Sequence, residues 1–187
     1  MTVTICNIDA WEYIKTIPDN SIDMILTDPM YGYQINLLEF MRICKGNIIT
    51  FCDPKFRYFK PDEILHWIKP ISTKNTIKKM SNFVEEILVL RRGNTYNHNM
   101  QWANYCGIFF DIVEGEIVHP YQKPLALIER IMRIYSNPGD LIFDPFLGSG
   151  TTIKAANNLK RNVIGCETNI QYYEAMSVLT QEIGICN

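Results

Sequence analysis

Residues 141–152, LIFDPFLGSGTT, decide the fold that we predict for this chain. The apolar residues 141–143 predict a short buried strand, and Asp144 follows at its carboxyl end. The glycines of 148–150 (GSG) predict a tight turn, and Thr151 stands where a helix would begin. Glycine lets the backbone approach a ligand closely, and a helix N-terminus offers unpaired N–H donors. The stretch therefore predicts a strand–turn–helix unit that can hold a ligand.

The residues that follow this unit indicate a nucleoside ligand without a pyrophosphate. A dinucleotide-binding turn would have a third glycine at position 153, where this chain has Ile153. A second predicted strand, residues 162–166, ends at Glu167, whose carboxylate could accept hydrogen bonds from a ribose diol. For the glycines alone, a turn with only a structural role is the alternative.

Three motifs resemble those of a known family. The segments 144–152 (DPFLGSGTT) and 165–167 (GCE) resemble the S-adenosylmethionine-binding half of the amino-directed DNA methyltransferases. The catalytic motif of that family, [DNS]PP[YFW], resembles residues 28–31 (DPMY), which lie upstream of the glycine turn. This order resembles the beta class of the family, whose sequences are circularly permuted. The resemblance covers nearly the whole chain and is weakest between about residues 45 and 118.

The resemblance implies one methyltransferase domain over residues 1–187. The implied fold class is α/β, a Rossmann-like, mostly parallel sheet with helices on both faces, circularly permuted. The implied cofactor is S-adenosylmethionine, and the implied partner is double-stranded DNA with a flipped base, as in restriction-modification systems. Adenine N6 is favoured over cytosine N4, because cytosine members of the family more often carry serine where Asp28 stands. No metal site is predicted.

The site residues follow from these motifs and from residues 119–124 (HPYQKP), which resemble the family's HPTQKP element beside the methionine end of the cofactor. The predicted catalytic residues are Asp28, Pro29 and Tyr31. The predicted cofactor-binding residues are Asp9, His119, Gln122, Lys123, Asp144, Pro145, Phe146, Gly148, Ser149, Gly150, Thr151 and Glu167.

The DPMY motif suits the chemistry of an exocyclic base amine, whose lone pair is delocalised into the ring. The Asp28 carboxylate could accept one amine hydrogen, the Pro29 carbonyl could accept the other, and Tyr31 could stack on the flipped base. Alignment of the amine with a methyl donor would lower much of the barrier. Met30 stands where the family has a second proline, which puts loop geometry and rate in question.

Four carboxylates are predicted to meet on one edge of the sheet. Asp9, Asp28, Asp144 and Glu167 each follow a predicted strand, and open α/β sheets bind ligands at the carboxyl ends of strands. Only one helix follows the strand that ends before Glu167, so we expect residues 2–6 to form the neighbouring strand.

The rest of the chain is predicted from periodicity. Further strands are expected at residues 21–27, 47–52 and 86–90, and helices at 10–17, 37–44, 61–68, 125–135 and 171–183. Residues 93–112 have no regular period and form a short candidate target-recognition segment, which predicts a short recognition site or almost none. Beta-class members often dimerise, so a homodimer is a possible assembly.

Composition limits the classes of protein and partner. Hydrophobic residues make up 47% and charged residues 20%, as in soluble globular proteins. There is no apolar run of about 18 residues and no signal-peptide pattern, so we expect no membrane association and a cytoplasmic protein. The family resemblance implies a bacterial or phage origin. The six cysteines show no metal-binding spacing and predict reduced, buried thiols. The net charge is −2, so DNA contact would require a local basic face.

Two other functions remain open from the sequence. A catalytically weak or inactive homologue that keeps the cofactor pocket could act as a binding or regulatory protein, for example against restriction. Methylation of RNA or of a protein amide by the same loop is a further alternative. The basic residues at 55–60, 74–79 and 91–92 suit either phosphate contacts or a solvated surface.

Overall fold

A computed structural model describes residues 1–30, 33, 35–52, 59–69, 84–92, 107–113 and 122–184. These residues form one eight-stranded sheet in the order β1-β8-β7-β2-β3-β5-β4-β6. The strands are β1 Val3–Cys6, β2 Ile22–Thr27, β3 Cys44–Cys52, β4 Glu63–Ile68, β5 Val84–Leu90, β6 Ile108–Phe109, β7 Leu141–Asp144 and β8 Asn162–Cys166. Strand β5 runs antiparallel to β3 and β4, and the other strand pairs are parallel. The predicted α/β class with a mostly parallel sheet is confirmed.

Helices cover both faces of the sheet, as predicted. They are α1 Ala10–Ile14, α2 Leu37–Ile43, α3 Leu125–Tyr135, α4 Thr151–Leu159 and α5 Ile170–Glu182. Successive strand residues point to opposite faces, so β2 supplies both cores. Met24 packs with α3, α4 and α5, whereas Ile25 packs with α1 and α2.

The N-terminal strand occupies the place that we predicted for it. Strand β1 pairs with β8 in parallel, with Val3 opposite Val163 and Cys6 opposite Cys166. Strand β2, which precedes Asp28, lies directly beside β7, which ends at Asp144. The circular permutation that the motif order resembles stays a prediction.

The helix predicted at residues 61–68 is wrong, because this segment forms β4. Leu65 and Trp67 are buried and alternate with more exposed neighbours, which is the period of a strand. The strand pairs with β5 along its whole length, from Glu63 opposite Val89 to Ile68 opposite Val84. Backbone pairing with a neighbouring strand therefore outweighs the helical signal of the local sequence.

The cysteines in the described part of the chain are free thiols, and Cys44, Cys52 and Cys166 are buried. Cys106 and Cys186 lie outside the described residues. Within the described ranges, none of the helices combines the length and the apolar character that crossing a membrane requires.

Candidate active site

The glycine turn after β7 requires backbone that only glycine adopts easily. Gly148 and Gly150 have φ angles of 51° and 75°, in the left-handed region, and α4 begins directly after Gly150. Beneath the turn, a Cβ at Gly165 would lie 2.5 Å from Cγ of Leu147. The absence of a side chain at Gly165 therefore lets the turn pack directly on β8.

Glu167 holds this turn in place. One of its carboxylate oxygens accepts a hydrogen bond from the Gly148 N–H at 2.9 Å, and the other accepts one from the Asn169 N–H at 2.7 Å. Asn169 in turn caps α5. The carboxylate that the sequence assigns to a ribose thus also fixes the turn to the end of β8.

Asp144 is buried at the carboxyl end of β7. Its carboxylate accepts hydrogen bonds from the Phe146 N–H at 3.1 Å and from the Thr152 hydroxyl at 2.6 Å. Burial raises the pKa of Asp144 to about 7, although both hydrogen bonds lower it. The negative charges of Asp28 and Glu167 raise this pKa further.

Asp28 follows the neighbouring strand β2 and is bound by a lysine from a distant part of the chain. The ammonium of Lys123, which is only 9% exposed, donates to Oδ2 of Asp28. Burial raises the pKa of Asp28, the positive charge of Lys123 lowers it, and the negative charge of Glu85 raises it. Glu85 contacts Lys123 at 3.3 Å from the other side.

One cavity of about 320 Å³ joins the glycine turn to the Asp28 loop, a volume within the usual range for small-molecule sites. The predicted site residues that line it are Asp28, Pro29, Gln122, Lys123, Asp144, Phe146, Gly148, Ser149 and Thr151. Four others, Asp9, Pro145, Gly150 and Glu167, are not in its wall. The remaining two, Tyr31 and His119, lie outside the described residues.

Asp9 caps a helix in this structure. Its carboxylate accepts hydrogen bonds from the N–H groups of Trp11 at 2.9 Å and Glu12 at 3.3 Å, at the start of α1. Trp11 also donates to the hydroxyl of Tyr33, whose ring packs edge-on against Phe146 in the cavity wall. Asp9 therefore orients the helix behind this aromatic wall, and its role in cofactor binding stays a prediction.

Several wall residues were not predicted from the sequence. They are Leu26, Thr27, Met30, Phe51, Ile128, Leu147 and Thr152. Thr27 and Phe51 could have been predicted, because open α/β sheets bind ligands at the carboxyl ends of strands. Thr27 is the last residue of β2, and Phe51 is the second-last residue of β3. Met30, noted only for its departure from the motif, is 76% exposed.

The wall has the features of a ligand site. Oγ1 of Thr27 is buried and has no hydrogen-bond partner among the described residues. A Cβ added at Gly148 would meet no described atom within 4 Å, so the turn borders open space. The residues described here contain no cluster of three His, Cys, Asp or Glu side chains that could hold a metal ion. The wall thus offers carboxylates, a hydroxyl and bare backbone to a small organic molecule.

Comparison with known proteins identifies the family of this chain. The N6_N4_Mtase family model, described as DNA methylase, matches residues 37–178. The type II methyltransferase M1.MboII of Moraxella bovis is 44% identical over 149 residues, which are 74% of this chain and 54% of that protein. The chain thus spans about half the length of this relative. The type II methyltransferase M.HpaI of Haemophilus parainfluenzae is 29% identical over 91% of this chain and 71% of its own length.

Solved structures show the same fold. The crystal structure of the M1.HpyAVI–SAM complex has a TM-score of 0.74 and 27% identity, covering 95% of this chain and 100% of that one. The cytosine-N4-specific PvuII DNA methyltransferase also has a TM-score of 0.74, covering 100% of this chain and 88% of its own. Its identity is only 16%, so this second likeness concerns the fold alone.

Proposed function

The chain belongs to the DNA methylase family, and we propose that it transfers a methyl group from S-adenosylmethionine to an exocyclic amine of a DNA base. One observation carries the proposal. A single cavity joins the Asp28–Pro29 loop, which suits an amine, to the glycine turn and Asp144, which suit a nucleoside. The methyl group of the cofactor and the amine of the base could therefore meet in this cavity.

The cofactor side of the cavity suits a cation. S-adenosylmethionine supplies, when bound, a methyl group on a positively charged sulfur. Asp144 and Asp28 place negative charge on the cavity wall, and the raised pKa of each shows that burial leaves its charge poorly compensated. The buried hydroxyl of Thr27 and the bare backbone of Gly148 offer further polar contacts.

The target side of the cavity suits an amine with two hydrogens. The Asp28 carboxylate accepts one hydrogen bond and the Pro29 carbonyl accepts the other, which holds the amine in one orientation. The raised pKa of Asp28 makes its carboxylate a stronger proton acceptor. The base nitrogen would gain the methyl group as the bond between methyl and sulfur breaks, which leaves a neutral thioether, and would lose one proton, which passes through Asp28 to solvent. Tyr31 is proposed to stack on the base.

We propose adenine N6 as the favoured target, because Asp28 stands where cytosine members more often have serine. The substrate would be double-stranded DNA with the target base flipped out, because an amine inside the duplex cannot reach the cavity. Only 107–112 of the candidate recognition segment 93–112 lie among the described residues. Its shortness supports a short recognition site, and a homodimer would enlarge the footprint.

A methyl-transfer assay tests this function. The purified protein would be given S-adenosylmethionine with a labelled methyl group and duplexes of adenine–thymine pairs or of inosine–cytosine pairs, so that the exocyclic amine is on adenine alone or on cytosine alone. Long-read sequencing of host DNA after expression would locate the modified bases, with Asp28→Ala as the background control. We expect label in adenine-containing duplexes, and modification at N6 that the Asp28→Ala variant lacks.

Other outcomes distinguish the alternatives. Cofactor binding without transfer to any duplex would indicate the non-catalytic homologue, which the exposed Met30 in place of the family's second proline favours. Transfer to RNA or to a protein amide, with DNA left unlabelled, would contradict the proposed substrate. Label confined to cytosine N4 would contradict only the preferred base.

A further inference from the structure

A buried carboxylate outside the predicted site lies beside the Asp28 loop. Glu85 is 2% exposed, near the start of β5. Its two oxygens contact Lys69 at 2.8 Å and Lys123 at 3.3 Å. A buried charge costs free energy unless it is paired, and Glu85 forms an ion pair with each lysine, although neither of its oxygens has a hydrogen-bond partner among the described residues. Its position between two lysines therefore indicates that Glu85 has a function.

The direction of β5 brings Glu85 to this edge of the sheet. Strand β5 is antiparallel to β3, so its amino end lies beside the carboxyl end of β3, with Glu86 opposite Cys52. On the other side Glu85 is opposite Trp67, and Lys69 follows immediately after β4. The amino end of β5 and the carboxyl ends of β3 and β4 thus meet at the edge of the sheet that borders the cavity.

Lys123 lies between two carboxylates. It donates to Oδ2 of Asp28, lies 3.3 Å from Oε1 of Glu85, and is over the ring of Phe51 at 4.8 Å. A lysine side chain is flexible, with three donors on one ammonium. The second carboxylate limits that freedom, because the ammonium is attracted to Glu85 while it donates to Asp28.

We propose that Glu85 is a positioning residue that acts through Lys123 to orient the Asp28 carboxylate for the target amine. This inference rests on the proposed function. Lys123 holds Oδ2 of Asp28, which leaves Oδ1 to accept the amine hydrogen. By sharing the ammonium, Glu85 prevents Lys123 from neutralising Asp28 completely, and so keeps the carboxylate a strong acceptor.

The charges that face Asp28 determine whether each substitution should raise or lower the pKa of Asp28. Among the described residues these are Lys123, Lys69, Glu85 and Asp144. The negative charge of Glu85 raises the pKa of Asp28, whereas Lys123 and Lys69 lower it. Removal of the Glu85 charge should therefore lower this pKa, and removal of the Lys69 charge should raise it.

The first experiment measures the pKa of Asp28 directly and does not depend on activity. The side-chain carboxyl carbons would be followed by ¹³C NMR across pH, with the Asp28 signal assigned from its loss in Asp28→Asn. We expect a lower pKa in Glu85→Gln and a higher one in Lys69→Gln. Glu86→Gln, a neighbouring carboxylate on the opposite face of β5, is the matched control and should leave it unchanged.

If Glu85→Gln does not fold, Lys69→Gln still tests the inference. Lys69 is partly exposed, so its substitution should be tolerated, and it should shift the pKa of Asp28 in the opposite direction. An unchanged pKa of Asp28 in the folded variants would overturn the inference. Equal shifts in Glu85→Gln and Glu86→Gln would also overturn it, because the effect would then not be specific to Glu85.

The second experiment is a double-mutant cycle on methyl transfer. We expect Glu85→Gln to lower kcat about tenfold, a coupling typical of contacting residues, with the KM for S-adenosylmethionine unchanged. In the Lys123→Met background the same substitution should change kcat less than about twofold, because Glu85 acts through Lys123. Equal losses in both backgrounds would show that Glu85 has only a structural role.

The two experiments separate the two proposals. If the wild-type protein methylates no DNA but the pKa of Asp28 shifts as expected, the proposed function is wrong and the ion-pair network stands. If the wild-type protein methylates DNA but Glu85→Gln changes neither kcat nor the pKa of Asp28, the function stands and this inference is wrong.

Discussion

The two sides of the cavity are built from different contacts. On the glycine-turn side, Asp144 and Glu167 accept hydrogen bonds from backbone N–H groups and a hydroxyl that lie 2 to 19 residues away. On the other side, Asp28 is bound by Lys123, 95 residues away in the chain. Neutral local donors hold the first side, and distant ion pairs hold the second.

This difference shows how each side responds to change. Local hydrogen bonds to backbone define a shape, which a substitution at the turn disrupts by strain or lost contact. Ion pairs among buried groups define a charge balance, which a substitution disturbs by leaving one charge uncompensated. Binding of the cofactor should therefore depend on the first side, and transfer to the target on the second.

The largest expected effect separates transfer from binding. Asp28→Ala should lower methyl transfer by at least about 10³-fold, as expected when a preorganised charged contact in the transition state is removed. Binding of S-adenosylhomocysteine, which lacks the positive sulfur, should stay within a few fold of wild type. Rate measurements on DNA together with calorimetry check this prediction. Normal turnover in the variant would show that the proposed mechanism is wrong.

The second effect concerns the turn. Gly148→Val should weaken S-adenosylhomocysteine binding by at least about tenfold, which corresponds to 1.4 kcal/mol, because it forces a β-branched residue to a φ of 51° beside the cavity. Glu167→Ala should weaken binding similarly, because the Gly148 N–H loses its acceptor.

Gly139→Val is the matched control for backbone strain. Gly139 has a φ of 90° and is not in the cavity wall, so its substitution should destabilise the fold without a specific loss of binding. Calorimetry on the three folded variants makes the comparison. Wild-type affinity in both Gly148→Val and Glu167→Ala would show that this turn is not part of the ligand site.

The third effect is a dependence of cofactor affinity on pH, which a charged side chain in the cavity wall should cause. The pKa of Asp144 is raised to about 7, so its carboxylate becomes protonated as pH falls through that value. A bound cation favours the ionised form, so S-adenosylmethionine should bind up to about tenfold more weakly for each pH unit below the pKa. The affinity for S-adenosylhomocysteine should change less.

Calorimetry with both cofactors between about pH 6 and pH 8 checks this prediction, with Asp144→Asn as the control that should lack the difference. The expected sign is lower affinity for the charged cofactor at lower pH. Parallel pH profiles for the two cofactors would show that Asp144 does not sense the positive sulfur.

The smallest effect concerns Met30, in the loop that follows Asp28. Met30→Pro should be tolerated, and the rate should rise by no more than about fivefold, because proline stiffens a loop whose methionine side chain is 76% exposed. Steady-state rates on one duplex compare the variant with wild type. A large loss of activity would mean that the loop needs a backbone conformation that proline cannot adopt.

The parts of the site that depend on neighbours in the chain could be predicted from the amino-acid sequence. The strand before Asp144, the glycine turn and the start of α4 lie within 12 residues, so periodicity and glycine placement predict them. The same rule located Asp28 at the end of β2. The pairing of β1 with β8 was also predicted, because few strands were available to fill that place.

The environment of Asp28 could not be predicted in this way, because it depends on strand pairing across the sheet. Periodicity shows that a segment is extended, but it does not show in which direction the strand runs. The reversal of β5 brings Glu85 to the active-site edge, and the strand form of residues 63–68 brings Lys69 beside it. Both depend on backbone pairing between segments far apart in sequence, which local propensity does not encode.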